Sequence, residues 1–139
     1  MISDYRDLAE YILDNYRGKM VEIGVGSRPE VALLLKDKAD VTVTDINEQA
    51  YAGLRFCRDD IFAPDMGIYK NAALIYSIRP PIDMQEAIAK TAREVGADLL
   101  IRPFGNEKAD LRGIYKNHKL LNYKRARFYL YKTELRPYF

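Results

Sequence analysis

The residues of this sequence best suited to chemistry are Glu22, Gly24 and Gly26, in the run Glu22-Ile23-Gly24-Val25-Gly26, and Asp45 further along. A Gly-x-Gly between an apolar strand and a helix lets the backbone turn tightly and approach a ligand closely. The helix start that follows presents free N–H groups to something anionic. An acid about twenty residues on, at the end of the next strand, can accept hydrogen bonds from ribose hydroxyls. Together these residues describe a nucleoside site. They also admit a plainer reading, in which the glycines only make a tight turn and Asp45 leads a helix.

A second group is cationic. Ile78-Arg79-Pro80 and Ile101-Arg102-Pro103 close two apolar runs in nearly the same wording, and Arg28 stands two residues after Gly26. Ligands of open α/β sheets bind outside the carboxyl ends of the strands. Guanidinium groups there suit bidentate recognition of carboxylate or phosphate. Arg28, Arg79 and Arg102 are therefore candidate substrate-binding residues for an anionic small molecule, unless Glu22, Asp45, Asp59 or Asp60 neutralise them. No catalytic residue is identified. Tyr76 and Ser77, near the end of the fourth apolar run, come nearest to a general base, and each also reads as a packing or hydrogen-bonding residue.

Several chemistries lack their residues. With Cys57 as the only cysteine and His118 as the only histidine, neither an internal disulfide nor a cysteine or multi-histidine metal site can be built, so no metal is expected. A nucleophile triad would have to recruit His118. Hydrophobic residues at 48% and charged residues at 30% fit a water-soluble globular protein. There is no apolar run of about 18 residues and no leader pattern, so a cytoplasmic protein without membrane contact is expected. The 139 residues suit one domain. Charge is uneven: from Arg102 onward ten Lys and Arg face three Asp and Glu, against twelve facing seventeen before it. This basic end interleaves lysines and arginines with Tyr115, Tyr123, Phe128, Tyr129 and Tyr131, which makes RNA a conceivable substrate. The plainer reading is two strands with solvated ends.

The elements that must position these groups follow from periodicity and punctuation. A helical stripe of Leu8, Ile12 and Tyr16, with a cap at Ser3 or Asp4, ends at Gly18. Lys19 to Ile23 reads as a strand, Pro29 to about Lys38 as a helix, and Val41 to Thr44 as a second strand. Asn47 is expected to cap a short helix over Glu48 to Ala52, before a third strand from Leu54 to Cys57. An irregular segment with Pro64 and Gly67 leads to a fourth strand, Ala72 to Ile78. Asp83-Met84-Gln85-Glu86 reads as a capping box opening a helix with Ala87, Ile88, Thr91, Ala92 and Val95 on one face, closed by Gly96. Ala97 to Ile101 is a fifth strand, and Lys119 to Tyr123 with Arg127 to Lys132 suggest a hairpin. Alternating strands and helices predict an α/β fold, a Rossmann-like three-layer sandwich with a mostly parallel sheet and an antiparallel C-terminal strand.

With these elements in place the sequence resembles the class I S-adenosylmethionine-dependent methyltransferases. Their first motif sets an acid two residues before the first glycine, as Glu22 is, and their second sets an acid after the second strand, as Asp45 is. Arg58-Asp59-Asp60-Ile61-Phe62 resembles the loop in which such enzymes place an acid near the adenine amino group beside an apolar neighbour. More narrowly, length and wording resemble a small archaeal group, uncharacterised protein family 0146, which implies no activity. The resemblance implies S-adenosylmethionine as cofactor, held by Glu22, Gly24, Gly26, Asp45 and Asp59 or Asp60. Pro29 stands where a dinucleotide motif would need its third glycine, which disfavours a pyrophosphate. Glu22 suits an ammonium-bearing ligand. An NAD(P)-binding domain and a non-catalytic binding module, or subunit of a larger complex, are the alternatives to a small methyltransferase.

Two departures stand against the family pattern. Arg28 replaces a third glycine, and would crowd the methionine end of the cofactor unless it turned outward or paired with the cofactor carboxylate. Arg79-Pro80-Pro81-Ile82 replaces the Asn or Asp before Pro-Pro-aromatic that holds a target amine in amino-methyltransferases. An arginine offers no acceptor, so that mechanism does not carry over.

Overall fold

The computed structural model describes residues 4–134. The chain runs α1 (Asp4–Asn15), β1 (Lys19–Ile23), α2 (Glu30–Leu35), β2 (Asp40–Asp45), β3 (Arg55–Arg58), α3 (Met66–Tyr69), β4 (Leu74–Ile78), α4 (Ile82–Val95), β5 (Asp98–Arg102), β6 (Asn117–Tyr123) and β7 (Ala126–Lys132). The strands form one sheet in the order β3-β2-β1-β4-β5-β7-β6. The first five are parallel, and β7 inserts antiparallel between β5 and β6. This is the expected Rossmann-like α/β sandwich with its antiparallel C-terminal strand. From β1 the chain winds outward to β2 and β3, then returns to β4 on the other side. The loops after β1 and β4 therefore part, and the crevice of an open sheet lies between them.

Period-two alternation feeds two cores. Met20, Val43, Leu74, Tyr76 and Phe128 pack under α1 and α2 with Leu8, Ile12, Val31 and Leu35. Val21, Ile23, Ile75, Leu99 and Tyr131 face the other way, against Ile88, Ala89 and Ala92 of α4. Because β1 and β4 pair with Glu22 opposite Tyr76, this side-to-side pair lies on the α1 face.

Local structure departs from the sequence reading in four places. No helix forms over Glu48 to Ala52. Asp45 accepts a hydrogen bond from the Asn47 amide at 3.1 Å, and the Tyr51 hydroxyl donates to the Gly26 carbonyl. Five residues cannot outweigh those contacts, given the cost of helix nucleation. Within the segment read as irregular, α3 forms a single turn, capped by the Asp65 carboxylate accepting from the Gly67 amide. The helix read as reaching Lys38 stops at Leu35. The capping box does not form: α4 begins at Ile82, with Pro81 at its N-cap and no side-chain cap. Gln85 turns inward instead. Its amide donates to the Pro80 and Glu107 carbonyls and accepts from the Ala109 amide, which ties the chain after β5 to α4. The cap proposed at Ser3 lies outside the described residues. Among the described residues, no helix is long and apolar enough to cross a membrane.

Asp4, at the start of α1, meets Arg102 at the end of β5. The guanidinium Nε and Nη2 donate to the two carboxylate oxygens at 2.9 and 3.2 Å, and both side chains are largely buried. Breaking a buried pair strands the remaining charge. Asp4→Asn and Arg102→Gln should each lower the free energy of unfolding by about 3–5 kcal/mol, read as a shifted urea midpoint. A double variant should cost less than the sum of the two.

Candidate functional site

The β1–α2 loop is fixed from beneath by β2. The Gly24 and Val25 amides both donate to the Thr44 carbonyl, at 3.0 and 2.9 Å, and the Thr44 hydroxyl donates to the Glu22 carbonyl. Gly24 and Gly26 take φ of +74° and +57°, a region that a residue with a Cβ occupies only at a cost. A Cβ built on Gly26 would meet no atom within 4 Å. Space, as well as backbone freedom, is thus kept open at this glycine.

Two cavities open off that loop. The larger, about 430 Å³, runs between the ends of β2 and β4 and includes Asp45, Asp59, Asp60 and Phe62 in its wall. The smaller, about 230 Å³, lies over the end of β1, with Glu22, Arg28 and Tyr5 in its wall. Gly24, Gly26 and Arg79 line both.

Glu22 is 1% exposed, and its Oε1 has no hydrogen-bond partner. Burial pushes its carboxyl up to about 8, since a buried carboxylate loses the water that stabilises its charge. The Tyr76 hydroxyl beside it opposes part of that shift, while the charge of Glu30 adds to it. At neutral pH this acid is mostly protonated. Asp45 is half-buried and differently held. One oxygen accepts from the Gly26 amide at 3.2 Å and the other from the Asn47 amide at 3.1 Å. A carboxylate has about four lone-pair sites, so two amides orient it without exhausting it.

Asp59 and Asp60 reach the larger cavity with unequal freedom. Asp59 accepts from the Asp65 amide at 3.0 Å and the Tyr69 hydroxyl at 2.6 Å, which makes it a brace for the loop after β3. Asp60 is exposed and accepts from the Phe62 amide. Ile46 and Phe62, 51% and 61% exposed, also line this cavity. They give it an apolar wall that is open to solvent.

The three arginines divide. Arg28 is exposed at the smaller cavity, and Arg79 stands where the cavities meet. The structure does not bring Arg102 to either wall; Asp4 holds it, and its Nη1 donates to the Pro103 carbonyl. Of the two general-base candidates, Ser77 donates its hydroxyl to the Ile23 carbonyl at 2.7 Å, and Tyr76 is fully buried. The basic C-terminal residues are partly spent within the fold, with Lys124 on Glu10 and Lys132 on Asp98. Among the described residues no group of three or more His, Cys, Asp and Glu gathers to hold a metal. Sequence reasoning missed Tyr51, whose hydroxyl braces the Gly26 carbonyl, and the apolar wall residues Ile46 and Met84. Only the aromatic identity of Tyr51, so near Asp45, could have drawn attention to it.

Residues 5–133 match the model of the Uncharacterised protein family (UPF0146). The chain belongs to this family. It is 45% identical over 129 residues to a UPF0146 protein of Archaeoglobus fulgidus, covering 91% of this chain and 94% of that one. Among solved structures it is similar to TehB from Haemophilus influenzae, with a TM-score of 0.61 and 20% identity over 96% of this chain and 63% of that one. It is also similar to a TehB-like SAM-dependent methyltransferase from Corynebacterium glutamicum, with a TM-score of 0.61 and 14% identity over 94% and 87% of the two chains. The UPF0146 chain therefore has the fold of S-adenosylmethionine-dependent methyltransferases.

The raised Glu22 carboxyl makes stability depend on pH in a defined direction. Between about 4.5 and about 8 the folded chain holds a proton that the unfolded chain has released, so stability without ligand falls as pH rises through that window. Glu22→Gln removes this loss. Melting curves should show the variant gaining on the wild type from pH 5 to pH 8.5, and parallel curves would show that Glu22 is not the group responsible.

Proposed function

We propose that the chain binds S-adenosylmethionine and acts as a small methyltransferase. The observation that carries this reading is the buried Glu22, with one oxygen unpaired, in the wall of a small cavity on one side of the Gly24-Val25-Gly26 turn, with Asp45 in the wall of the larger cavity on the other. Glu22 accepts from the ammonium of the cofactor and ionises as it does so. Arg28, on the same small cavity, pairs with the cofactor carboxylate. Asp45 accepts from the ribose hydroxyls through the lone pairs its two amide donors leave free. Ile46 and Phe62 cover the adenine faces, and Asp60, the freer of the two acids, meets its amino edge. The bound sulfonium supplies an electrophilic methyl group. The chain supplies position, and a transfer of this kind depends chiefly on placing the two reactants in line.

One observation favours the second reading, a non-catalytic binding module: Ser77 and Tyr76, the two residues that come nearest to a general base in the sequence, are both committed to the interior. NAD(P) fits less well, because Pro29 holds the position where a pyrophosphate would need close helix packing.

Calorimetry separates these. S-adenosylmethionine and S-adenosylhomocysteine should bind and NAD should not. Asp45→Ala should weaken binding about tenfold or more, a loss of at least ~1.4 kcal/mol. Because Glu22 ionises on binding, the reaction at pH 7 should release a proton, seen as a heat that varies with the ionisation enthalpy of the buffer. Binding of NAD alone, or of none of the three, would sink the reading. Transfer of a labelled methyl group to a component of a cell extract then distinguishes the enzyme from the module.

A further inference from the structure

We infer that Arg79 is the receptor for an oxyanion, carboxylate or phosphate, carried by the methyl acceptor; this rests on the cofactor reading above. The two cavities share three residues, two of them glycines. Arg79 is thus the one functional side chain at the seam, the point that a ligand reaching from Glu22 to Asp45 must pass. Its backbone takes φ of +55°, disfavoured for a residue with a Cβ. The conformation is held by its amide donating to the Arg102 carbonyl at 2.7 Å and by the Pro80-Pro81 pair that follows.

The side chain is positioned but not neutralised. Its guanidinium lies 5.1 Å from the centre of the Phe104 ring, and its Nε is buried with no hydrogen-bond partner. Among the described residues it forms no ion pair, whereas Arg102, in the same wording at the end of the next strand, is paired with Asp4. The guanidinium rests against the Phe104 ring at the edge of the larger cavity, with one buried N–H unmet, and an unmet buried donor of a charged group calls for an acceptor. The sulfur of a bound cofactor would also be positive and would repel a guanidinium rather than pair with it, so an anion carried by the acceptor would suit both charges. Arg28 lines only the smaller cavity, so it can serve the cofactor carboxylate while Arg79 stays free for the acceptor. The apolar neighbours point to a small organic acid or phosphate ester with an apolar body.

In the transfer the acceptor's lone pair would bond to the methyl carbon as the carbon–sulfur bond breaks, its electron pair leaving on sulfur as S-adenosylhomocysteine, and any proton on the methylated atom would pass to solvent. Arg79 gives up no proton; it holds the anion, and with it the acceptor, in line.

The test uses the full chain saturated with S-adenosylhomocysteine in a phosphate-free neutral buffer, titrated with inorganic phosphate and, separately, with benzoate. At least one should bind in the millimolar range, and R79Q should weaken it about tenfold or more. The variant should keep its melting temperature, since Gln suits the same backbone no worse than Arg, and each protein is titrated at an S-adenosylhomocysteine concentration that saturates it. R79K, which keeps the charge without the fork, should recover part of the loss. The anion that binds more tightly assigns the head group as phosphate or carboxylate. No saturable binding of either anion to the wild type, or equal binding to R79Q, overturns the inference. Failure of the wild type to bind S-adenosylhomocysteine is a separate result, and it refutes the cofactor reading itself.

Discussion

The arrangement at the mouth of this sheet depends on one carboxyl group, that of Glu22, being placed inside the protein without a full set of partners. Strand register puts it there: β1 is central, and its pairing with β4 sets Glu22 against Tyr76 under the cover of α1. A polar group in that position costs free energy unless something satisfies it. The fold meets the cost partly by holding the carboxyl in its neutral form, and a small cavity lies beside the group.

The surrounding loops are arranged to keep that space. Thr44 carries the Gly24 and Val25 amides, Asp45 carries Gly26 and Asn47, and Tyr51 reaches across to the Gly26 carbonyl. These contacts tie the loop after β1 to the loop after β2, so that Glu22 and Asp45 hold fixed positions relative to each other. Preorganisation of this kind spares a ligand the cost of ordering its own site.

The parts of this arrangement that could be read from the sequence are those encoded locally. Val41 to Thr44 is β-branched and Ala72 to Ile78 is apolar, and strands buried on both faces of a parallel sheet carry runs of this kind. Glu22, Gly24 and Gly26 declare themselves because a tight turn between strand and helix has few solutions. What the sequence could not display were pairings between distant residues. Arg102 and Arg79 share their flanking residues, yet Asp4, 98 positions from Arg102, claims only one of them. Gln85 has the look of a surface residue in a capping box, and is drawn inward by carbonyls at 80 and 107. Tyr51 sat in a stretch whose composition favoured a helix, and a contact with Gly26 decided otherwise. In each case a tertiary partner outweighed a local preference.

The junction of α1 with the sheet has a further bearing on the small cavity. Tyr5, one residue after Asp4, is part of that cavity's wall, and its hydroxyl is buried without a partner. Because Asp4 is tethered to the end of β5, Tyr5 is held in the cavity wall by a strand far away in the sequence. The first helical turn is therefore a wall of that cavity as well as packing, and a residue of β5 sets its position.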